Sequence, residues 1–246
     1  MKLEIDVKKK TLPQEDIMYS KVNWALFFTV TCLVFINLFV SLTVLPQYVI
    51  EVGGTEFQSG LQNTVFFIIA VLMRLYFGPL ADRKGRKVPM LIGTFVFATS
   101  PIFFILCSNV FTLLIARVYQ AIGLATYLSA ASSLVADLSP PGKTGTYLGA
   151  HRLVSTISLL VGPSLALSII NRAGYDAWFL VSIVIGLISL GLVILVKTPY
   201  FSPDNSGTGA WANSVVVLKD KKVWLILACI ALTSVSNGAI LTFGVI

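Results

Sequence analysis

Charged residues are scarce in this chain of 246 residues, where Asp, Glu, Lys and Arg together make up only 12%. Soluble domains carry about 25% charged residues, because they must cover a water-facing surface. Apolar residues make up 56% of the chain and its mean hydropathy is +0.87. This composition excludes an ordinary soluble domain and predicts an all-α protein that crosses a membrane several times.

Residues that perform chemistry are also rare. The chain has one histidine, His151, and three cysteines that all lie in apolar runs. These counts do not favour a metal site, a disulfide framework or a bound cofactor. Acidic residues are absent from the middle of the first six apolar runs, and no phosphate-binding G-x4-G-K-[ST] loop occurs. We therefore expect no enzyme activity, and a membrane-embedded enzyme is a remote alternative.

Seven apolar runs are long enough to cross a bilayer. They cover approximately residues 22–45, 57–79, 88–107, 110–135, 146–170, 177–197 and 223–246. The organisation predicted from these runs has four parts. They are a cytoplasmic tail at 1–21, a six-helix bundle at 22–198, a cytoplasmic linker at 199–222 and a seventh helix at 223–246.

Basic residues are distributed unevenly between the two sides of these runs. Of 18 Lys and Arg residues, 15 fall in or beside the tail and the loops of one side, and Arg172 alone falls on the other. Arg74 and Arg117 lie inside runs. Positively charged loops stay in the cytoplasm, so the N-terminus is predicted to be cytoplasmic in a multi-pass protein of the cell membrane. The net charge of +7 thus reflects orientation, and the expected partner is the lipid bilayer rather than nucleic acid.

The loop after the second run has the sequence G-P-L-A-D-R-K-G-R-K at residues 78–87. Its glycines are expected to allow a tight turn and a close helix approach, and Asp82 to face the N-terminus of a neighbouring helix. The segment resembles the G-x-L-a-D-r-x-G-r-k motif of the major facilitator superfamily, in the loop where that family has it. The residues assigned to this conformational-switch motif are Gly78, Asp82, Arg83, Gly85, Arg86 and Lys87.

Two further segments are similar to motifs of the same superfamily. The fourth run, from Arg117 to Gly123, resembles R-x-x-q-G-x-g, with Ala121 where glycine is usual. At its end, Asp137 matches an acidic residue that pairs with the switch loop in some relatives, and we predict that it pairs with Arg86. The fifth run partly resembles an antiporter motif, and its small residues predict close helix packing. The predicted packing residues are Gly123, Gly149, Ser158, Gly162 and Pro163.

Polar residues inside the runs are the candidates for a solute site, because polar groups in a membrane are expensive and usually functional. Helical spacing places Arg117, Gln120 and Tyr127 near one face of the fourth run, and Asn37 and Ser41 form a stripe on the first. We predict that these residues line a central cavity. The alternative for Arg117 is a structural role between helices, which is also favoured for Arg74 and His151.

The resemblance implies a six-helix bundle of two inverted three-helix repeats, followed here by one further helix, and a second half in the complete transporter. The leading hypothesis is a secondary transporter that exports a small organic solute by alternating access, with proton coupling left open. The alternative is a truncated half that is inactive without the missing C-terminal half or a second chain. The sequence leaves the substrate, direction and coupling ion undetermined.

Overall fold

The computed structural model describes residues 21–198, except for the side chains of residues 82–84. The predicted tail, linker and seventh helix lie outside these residues or at their edge. The described chain forms five α-helices, and each contains a stretch long and apolar enough to cross a membrane. They are α1 (Lys21–Glu51), α2 (Glu56–Lys84), α3 (Lys87–Leu106), α4 (Val110–Leu138) and α5 (Thr144–Leu195). The predicted all-α, multi-pass membrane fold is confirmed.

Helix α5 differs from the prediction of two helices joined by a loop at 171–176. It continues through this segment and departs from helical geometry only at Gly174, where φ is +82°. A straight helix of its 52 residues would be about 78 Å long, more than twice the thickness of a bilayer core. Instead, both of its ends meet the start of α1. The Tyr147 ring lies 4.3 Å from that of Trp24, and the Asn23 side chain donates to the Lys197 carbonyl at 2.9 Å.

The chain therefore reverses at Gly174, and α5 consists of two arms that run in opposite directions. A positive φ is accessible to glycine at little cost, which explains why a single residue replaces the expected loop. Counting the arms separately gives six helical segments within the described chain. The predicted division into two inverted three-helix repeats stays a prediction.

Short capped turns join the other helices. The Thr55 hydroxyl accepts from the Gln58 backbone N–H while the Gln58 side chain accepts from the Thr55 N–H, which forms a capping box at the start of α2. Asn109 caps α4 by accepting from the Thr112 N–H at 2.9 Å. Gly85, with φ +81°, ends α2 and allows α3 to begin two residues later. These caps satisfy backbone groups that apolar surroundings would leave without partners.

The helices approach closely where small residues meet. A Cβ atom on Gly93 would lie 2.7 Å from the Tyr127 backbone nitrogen, and one on Gly162 would lie 3.2 Å from the Val40 side chain. Of the predicted packing residues, Gly123 and Gly162 lie at such approaches. Ser158 donates to the Cys32 carbonyl at 3.2 Å, whereas Gly149 has no neighbour within 4 Å of a built Cβ. Small residues thus bring α3 to α4 and α1 to the first arm of α5.

The two ends of the bundle differ in charge. We call the end that carries Lys21, Lys87, Lys143 and Lys197 the basic end. The end that carries Glu51, Glu56 and Asp176 is called the acidic end. Because successive spans run in opposite directions, residues distant in the sequence meet at each end.

Candidate functional site

A buried polar cluster centred on Arg117 ties three helices together. Arg117 lies on α4 with its side chain fully buried. Its Nε donates to the Gln62 side-chain oxygen, its Nη2 donates to that of Asn63, and its Nη1 donates to that of Gln120 at 2.6 Å. Gln62 and Asn63 belong to α2. We call these four residues, together with Ser41 of α1, the Arg117 cluster.

Helix α1 closes the cluster from the other side. The Ser41 hydroxyl accepts from the Gln120 side chain at 2.9 Å, and the Ser41 carbonyl accepts from Arg117 Nη2 at 3.4 Å. The guanidinium carbon also lies 4.7 Å from the centre of the Phe66 ring, a cation–π contact. Arg117 is therefore satisfied by neutral oxygens and an aromatic face.

No carboxylate among the described side chains contacts Arg117. A buried charge normally requires an opposite charge or several hydrogen bonds. Here the hydrogen bonds are supplied by amide groups, and Gln62 Nε2 is itself buried without a partner. The cluster thus holds one positive charge and one unused hydrogen-bond donor. Both would interact favourably with a hydrogen-bond acceptor.

The structure separates residues that helical spacing placed together. It brings Arg117, Gln120 and Ser41 into contact, but the Tyr127 hydroxyl instead hydrogen-bonds the Thr31 hydroxyl at 3.0 Å. Asn37 donates to the Ser182 carbonyl at 3.3 Å, while its backbone carbonyl accepts from Ser41 at 2.8 Å. Asn37 and Tyr127 therefore lie outside the cluster.

Arg117 lies halfway between the start of α4 and its middle. Arg117 lies seven residues after Val110, the first residue of α4, which is about 10 Å along the axis from the acidic end. The guanidinium faces buried amides rather than an open cavity. This burial agrees with the alternative role for Arg117, in which it joins helices.

Sequence reasoning missed Gln62 and Asn63. They are adjacent amides near the start of an otherwise apolar stretch of α2. A pair of amides in a membrane helix needs hydrogen-bond partners, and an arginine in another helix is the obvious donor. That signal was present in the sequence, but only the packing shows which helix supplies the donor.

His151 is buried near the start of α5, where the sequence favoured a structural histidine. Its ring lies between those of Phe27 and Phe35, with centroids 5.9 Å from each. Its Nε2 atom is buried without a hydrogen-bond partner. This aromatic setting accounts for its packing, and it does not join the Arg117 cluster.

An ion pair links the turn between α2 and α3 to the end of α4. Arg86 Nε lies 2.9 Å from Asp137 Oδ2, the pair that the motif predicted. Next to it, Lys87 Nζ donates to the Ile194 and Val196 carbonyls at 2.7 and 3.0 Å. Lys87 therefore caps the C-terminus of α5, where a cation is favourable. The basic end is held by contacts among α3, α4 and α5.

The remaining motif residues divide into a turn and a helix. Gly85 forms the turn, whereas Gly78 lies inside α2 with nothing within 4 Å of a built Cβ. The expectation of a turn or close approach at Gly78 is thus wrong in this conformation. The side chains of Asp82 and Arg83 lie outside the described part of the chain, so the proposed role of Asp82 stays a prediction.

One other feature is separate from the Arg117 cluster. An apolar groove of about 350 Å³ lies between α3 and α4 near the acidic end and is lined by Phe103, Leu106, Cys107 and Tyr119 among others. Within the helices described above, no three His, Cys, Asp or Glu side chains lie close enough to hold a metal ion.

These features together define an all-α membrane bundle with a buried charge and a salt-bridged basic end, the architecture of a membrane transporter half. The sequence pattern of the Major Facilitator Superfamily matches residues 27–246. The chain belongs to this family of membrane transporters.

Among curated proteins, the chain is similar to a riboflavin transporter, RibZ, of Clostridioides difficile. The two are 26% identical over 136 residues, which cover 54% of this chain and 30% of that protein. It is also similar to the quinolone resistance protein NorA of Staphylococcus aureus, with 25% identity over 146 residues, 59% of this chain and 37% of the relative. The chain spans less than two fifths of the length of these relatives in the matched regions.

Solved structures show the same fold. A peptide transporter in complex with sulfate superposes with a TM-score of 0.65 at 15% identity, over 90% of this chain and 46% of the other. A bacterial homologue of the human lysosomal transporter Spinster, inward-facing and unoccupied, gives a TM-score of 0.57 at 18% identity, over 81% and 47%. At this identity the likeness concerns the fold alone.

Proposed function

We propose that this chain forms the N-terminal part of a secondary transporter that exports a small organic solute by alternating access. The Arg117 cluster is the observation that carries this proposal. A buried charge surrounded by amides is costly in a membrane protein, and such groups commonly mark a solute or ion pathway. Because α1, α2 and α4 all contribute to the cluster, a rearrangement of its hydrogen bonds during transport would alter the packing of three helices.

The Arg86–Asp137 pair supports the alternating-access part of the proposal. Its side chains are 14% and 37% exposed, so the pair lies at the protein surface and is worth roughly 1 kcal/mol or less. A contact of this strength can form and break during a transport cycle without unfolding the bundle. The pair is suited to hold the helices of the basic end together in one conformation of the transport cycle.

The outward direction is supported by the likeness to NorA, which is named for quinolone resistance. The likeness to a riboflavin transporter supports a small organic solute without defining it. We leave proton coupling open, because the acidic residues Glu51, Glu56, Asp137 and Asp176 all lie at or near the ends of spans rather than at their middles. We place the basic end in the cytoplasm, in agreement with the positive-inside rule.

Transport can be tested with the full gene product in proteoliposomes. Vesicles would be loaded with riboflavin or with a quinolone, and efflux would be followed with and without an imposed pH gradient. We expect efflux of at least one probe above protein-free vesicles, lost in Arg117→Gln and retained in Thr64→Val, a substitution at an exposed position of α2. Equal efflux in Arg117→Gln and the wild type would show that the Arg117 cluster takes no part in transport.

The orientation of the protein in the membrane is tested separately. Single cysteines placed at Gly53 and at Gly142, in turns at opposite ends of the bundle, would be labelled in intact cells with a membrane-impermeant maleimide. The background protein would lack the three native cysteines. We expect labelling at position 53 only, and labelling at position 142 alone would reverse the assigned orientation.

A second candidate is that these 246 residues by themselves do not transport. The partial coverage of both relatives favours it, because the curated transporters extend well beyond the matched region. Reconstitution of the 246 residues alone, and together with a C-terminal half of a relative, separates the two candidates. Flux from the isolated chain would argue against this second candidate.

A further inference from the structure

Helix α1 contains a proline, Pro46, five residues before the helix ends at Glu51. Proline has no backbone N–H, so the carbonyl of Leu42, four residues earlier, cannot accept the usual helical hydrogen bond. A missing bond of this kind is a common cause of bending in a helix. In apolar surroundings the freed carbonyl also needs another donor. At Pro46, α1 therefore depends on its neighbours for a contact that the rest of the helix makes by itself.

The missing donor comes from α2. The Asn63 side-chain nitrogen donates to the Leu42 carbonyl at 3.4 Å. One turn earlier on α2, the Ser59 hydroxyl donates to the Pro46 carbonyl at 2.8 Å. Two side chains of α2 thus hold α1 on both sides of the gap that Pro46 leaves.

Asn63 also joins this gap to the Arg117 cluster. Its side-chain oxygen accepts from Arg117 Nη2, while its nitrogen donates to Leu42. A guanidinium only donates and a carbonyl only accepts, so these two partners together fix the orientation of the amide. The same Nη2 atom donates to the Ser41 carbonyl at 3.4 Å. Arg117 therefore holds two successive carbonyls of α1, one directly and one through Asn63.

The part of α1 that follows Pro46 packs against two other helices at the acidic end. The buried Tyr48 donates from its hydroxyl to the Phe104 carbonyl of α3 at 3.5 Å. Its ring centre lies 5.1 Å from that of Tyr175 and 5.3 Å from that of Phe179, both in the second arm of α5. A change in the bend of α1 at Pro46 would therefore move Tyr48 relative to α3 and α5.

Another proline within a described helix has no such link to the cluster. Pro101 lies inside α3, and the carbonyl four residues earlier belongs to Phe97. This carbonyl accepts from the hydroxyl of Ser100 at 3.4 Å. Because Ser100 belongs to the same helix, the gap at Pro101 is closed locally. Pro101 thus provides a matched control for Pro46.

We infer that Asn63 is a positioning residue that couples the Arg117 guanidinium to a hinge in α1 at Pro46. While Arg117 holds Asn63, the Leu42 carbonyl has a donor and α1 keeps its present bend. When the hydrogen bonds of Arg117 rearrange, Asn63 is released and the segment from Pro46 to Glu51 moves at the acidic end. The role of this hinge in transport rests on the proposed alternating-access function, whereas the hinge itself can be measured without a solute.

The hinge is tested by hydrogen–deuterium exchange of the backbone amides of residues 47–52, measured by mass spectrometry on the full gene product in nanodiscs. The informative variant is Asn63→Asp. Next to a guanidinium, aspartate is ionised, so it keeps an acceptor for Arg117 but has no donor for the Leu42 carbonyl. We expect exchange at these amides to rise about three- to tenfold, the effect of one lost neutral hydrogen bond.

Restoring the backbone donor separates a hinge from general loosening of the bundle. Pro46→Ala supplies the missing N–H, so by itself it should slow exchange at residues 47–52. In the Pro46→Ala background, Asn63→Asp should raise exchange by less than about twofold, because the Leu42 carbonyl no longer needs Asn63. In the Pro101→Ala background the full increase should remain. A merely structural role for Asn63 in helix packing would give the same increase in both backgrounds.

The inference is wrong if exchange at residues 47–52 is equal in Asn63→Asp and the wild type, or if Pro46→Ala leaves the increase unchanged. Size-exclusion profiles and exchange at residues 95–105 of α3 show whether each variant is folded. If Asn63→Asp does not fold, the Pro46→Ala variant still decides, because exchange equal to the wild type would contradict a hinge at Pro46. Efflux is measured in parallel. Absent efflux in a wild type whose α1 responds as expected refutes only the transport proposal, whereas unchanged exchange with normal efflux refutes this inference alone.

Discussion

Substitution of Gln120 by leucine tests whether the Arg117 cluster is a single energetic unit. Gln120 is fully buried, accepts from Arg117 and donates to Ser41. Leucine has a similar volume, so the substitution removes the hydrogen bonds without leaving a large cavity. The guanidinium charge stays buried and loses one of its neutral acceptors.

The expected cost follows from these two contacts. A hydrogen bond to a charged group contributes about 1.5–3 kcal/mol and a neutral one about 0.5–1.5 kcal/mol. We therefore expect Gln120→Leu to lower the free energy of unfolding by about 2–4 kcal/mol. In an Arg117→Met background the charge is absent, and the same substitution should cost only about 0.5–1.5 kcal/mol, because only the bond to Ser41 is lost.

The assay is a double-mutant cycle in detergent micelles, with unfolding by sodium dodecyl sulfate followed by circular dichroism. A coupling energy of about 1.5–3 kcal/mol between Arg117 and Gln120 is expected. Thr64→Val, at an exposed position of α2, should change stability by less than about 0.5 kcal/mol. Additive effects of the two substitutions would refute the reasoning, because they would mean that the guanidinium does not depend on Gln120 in the folded protein.

Two further predictions concern the basic end and the helix approaches. Neutralising Arg86 with Arg86→Gln should slow transport while changing stability by no more than about 1 kcal/mol, and exchanging the charges of Arg86 and Asp137 should restore part of the rate in the vesicle assay. Unchanged efflux in Arg86→Gln and in a variant with Asp137 neutralised would contradict a role for the pair. Gly93→Val should lower the melting temperature in detergent by several degrees, because a Cβ at this position would meet Tyr127. Gly191→Val, where no atom lies within 4 Å of a built Cβ, is the matched control, and equal melting temperatures would refute the close approach.

Much of the fold could be predicted from single segments of the sequence. Each apolar run is long enough to span a bilayer by itself, so its identification needs no knowledge of its neighbours. The pairing of Arg86 with Asp137 was also predictable, because a motif located both residues at the same end of adjacent spans. The form of the α5 reversal could not be predicted. An apolar segment with polar residues at 171–176 is compatible with either a loop or a continuous helix broken at Gly174.

The polar sites were harder to predict because they depend on the rotation of each helix about its axis. Spacing on α4 alone grouped Tyr127 with Arg117, yet the two residues are ten positions apart and meet different neighbours. The largely apolar sequence of α2 does not indicate which helix supplies a partner for Gln62. A periodicity within one helix gives the direction of a side chain, but it does not give the identity of the residue that faces it.

The sequence by itself determined that this protein lies in a membrane, how its spans alternate and which end of the bundle carries the positive charge. These properties follow from the free energy of placing each segment in lipid, which is local to that segment. Tertiary structure alone decided that Arg117 is shared among α1, α2 and α4. Such groupings arise from the packing of helices distant in the sequence, where the need to satisfy buried polar groups selects the partners.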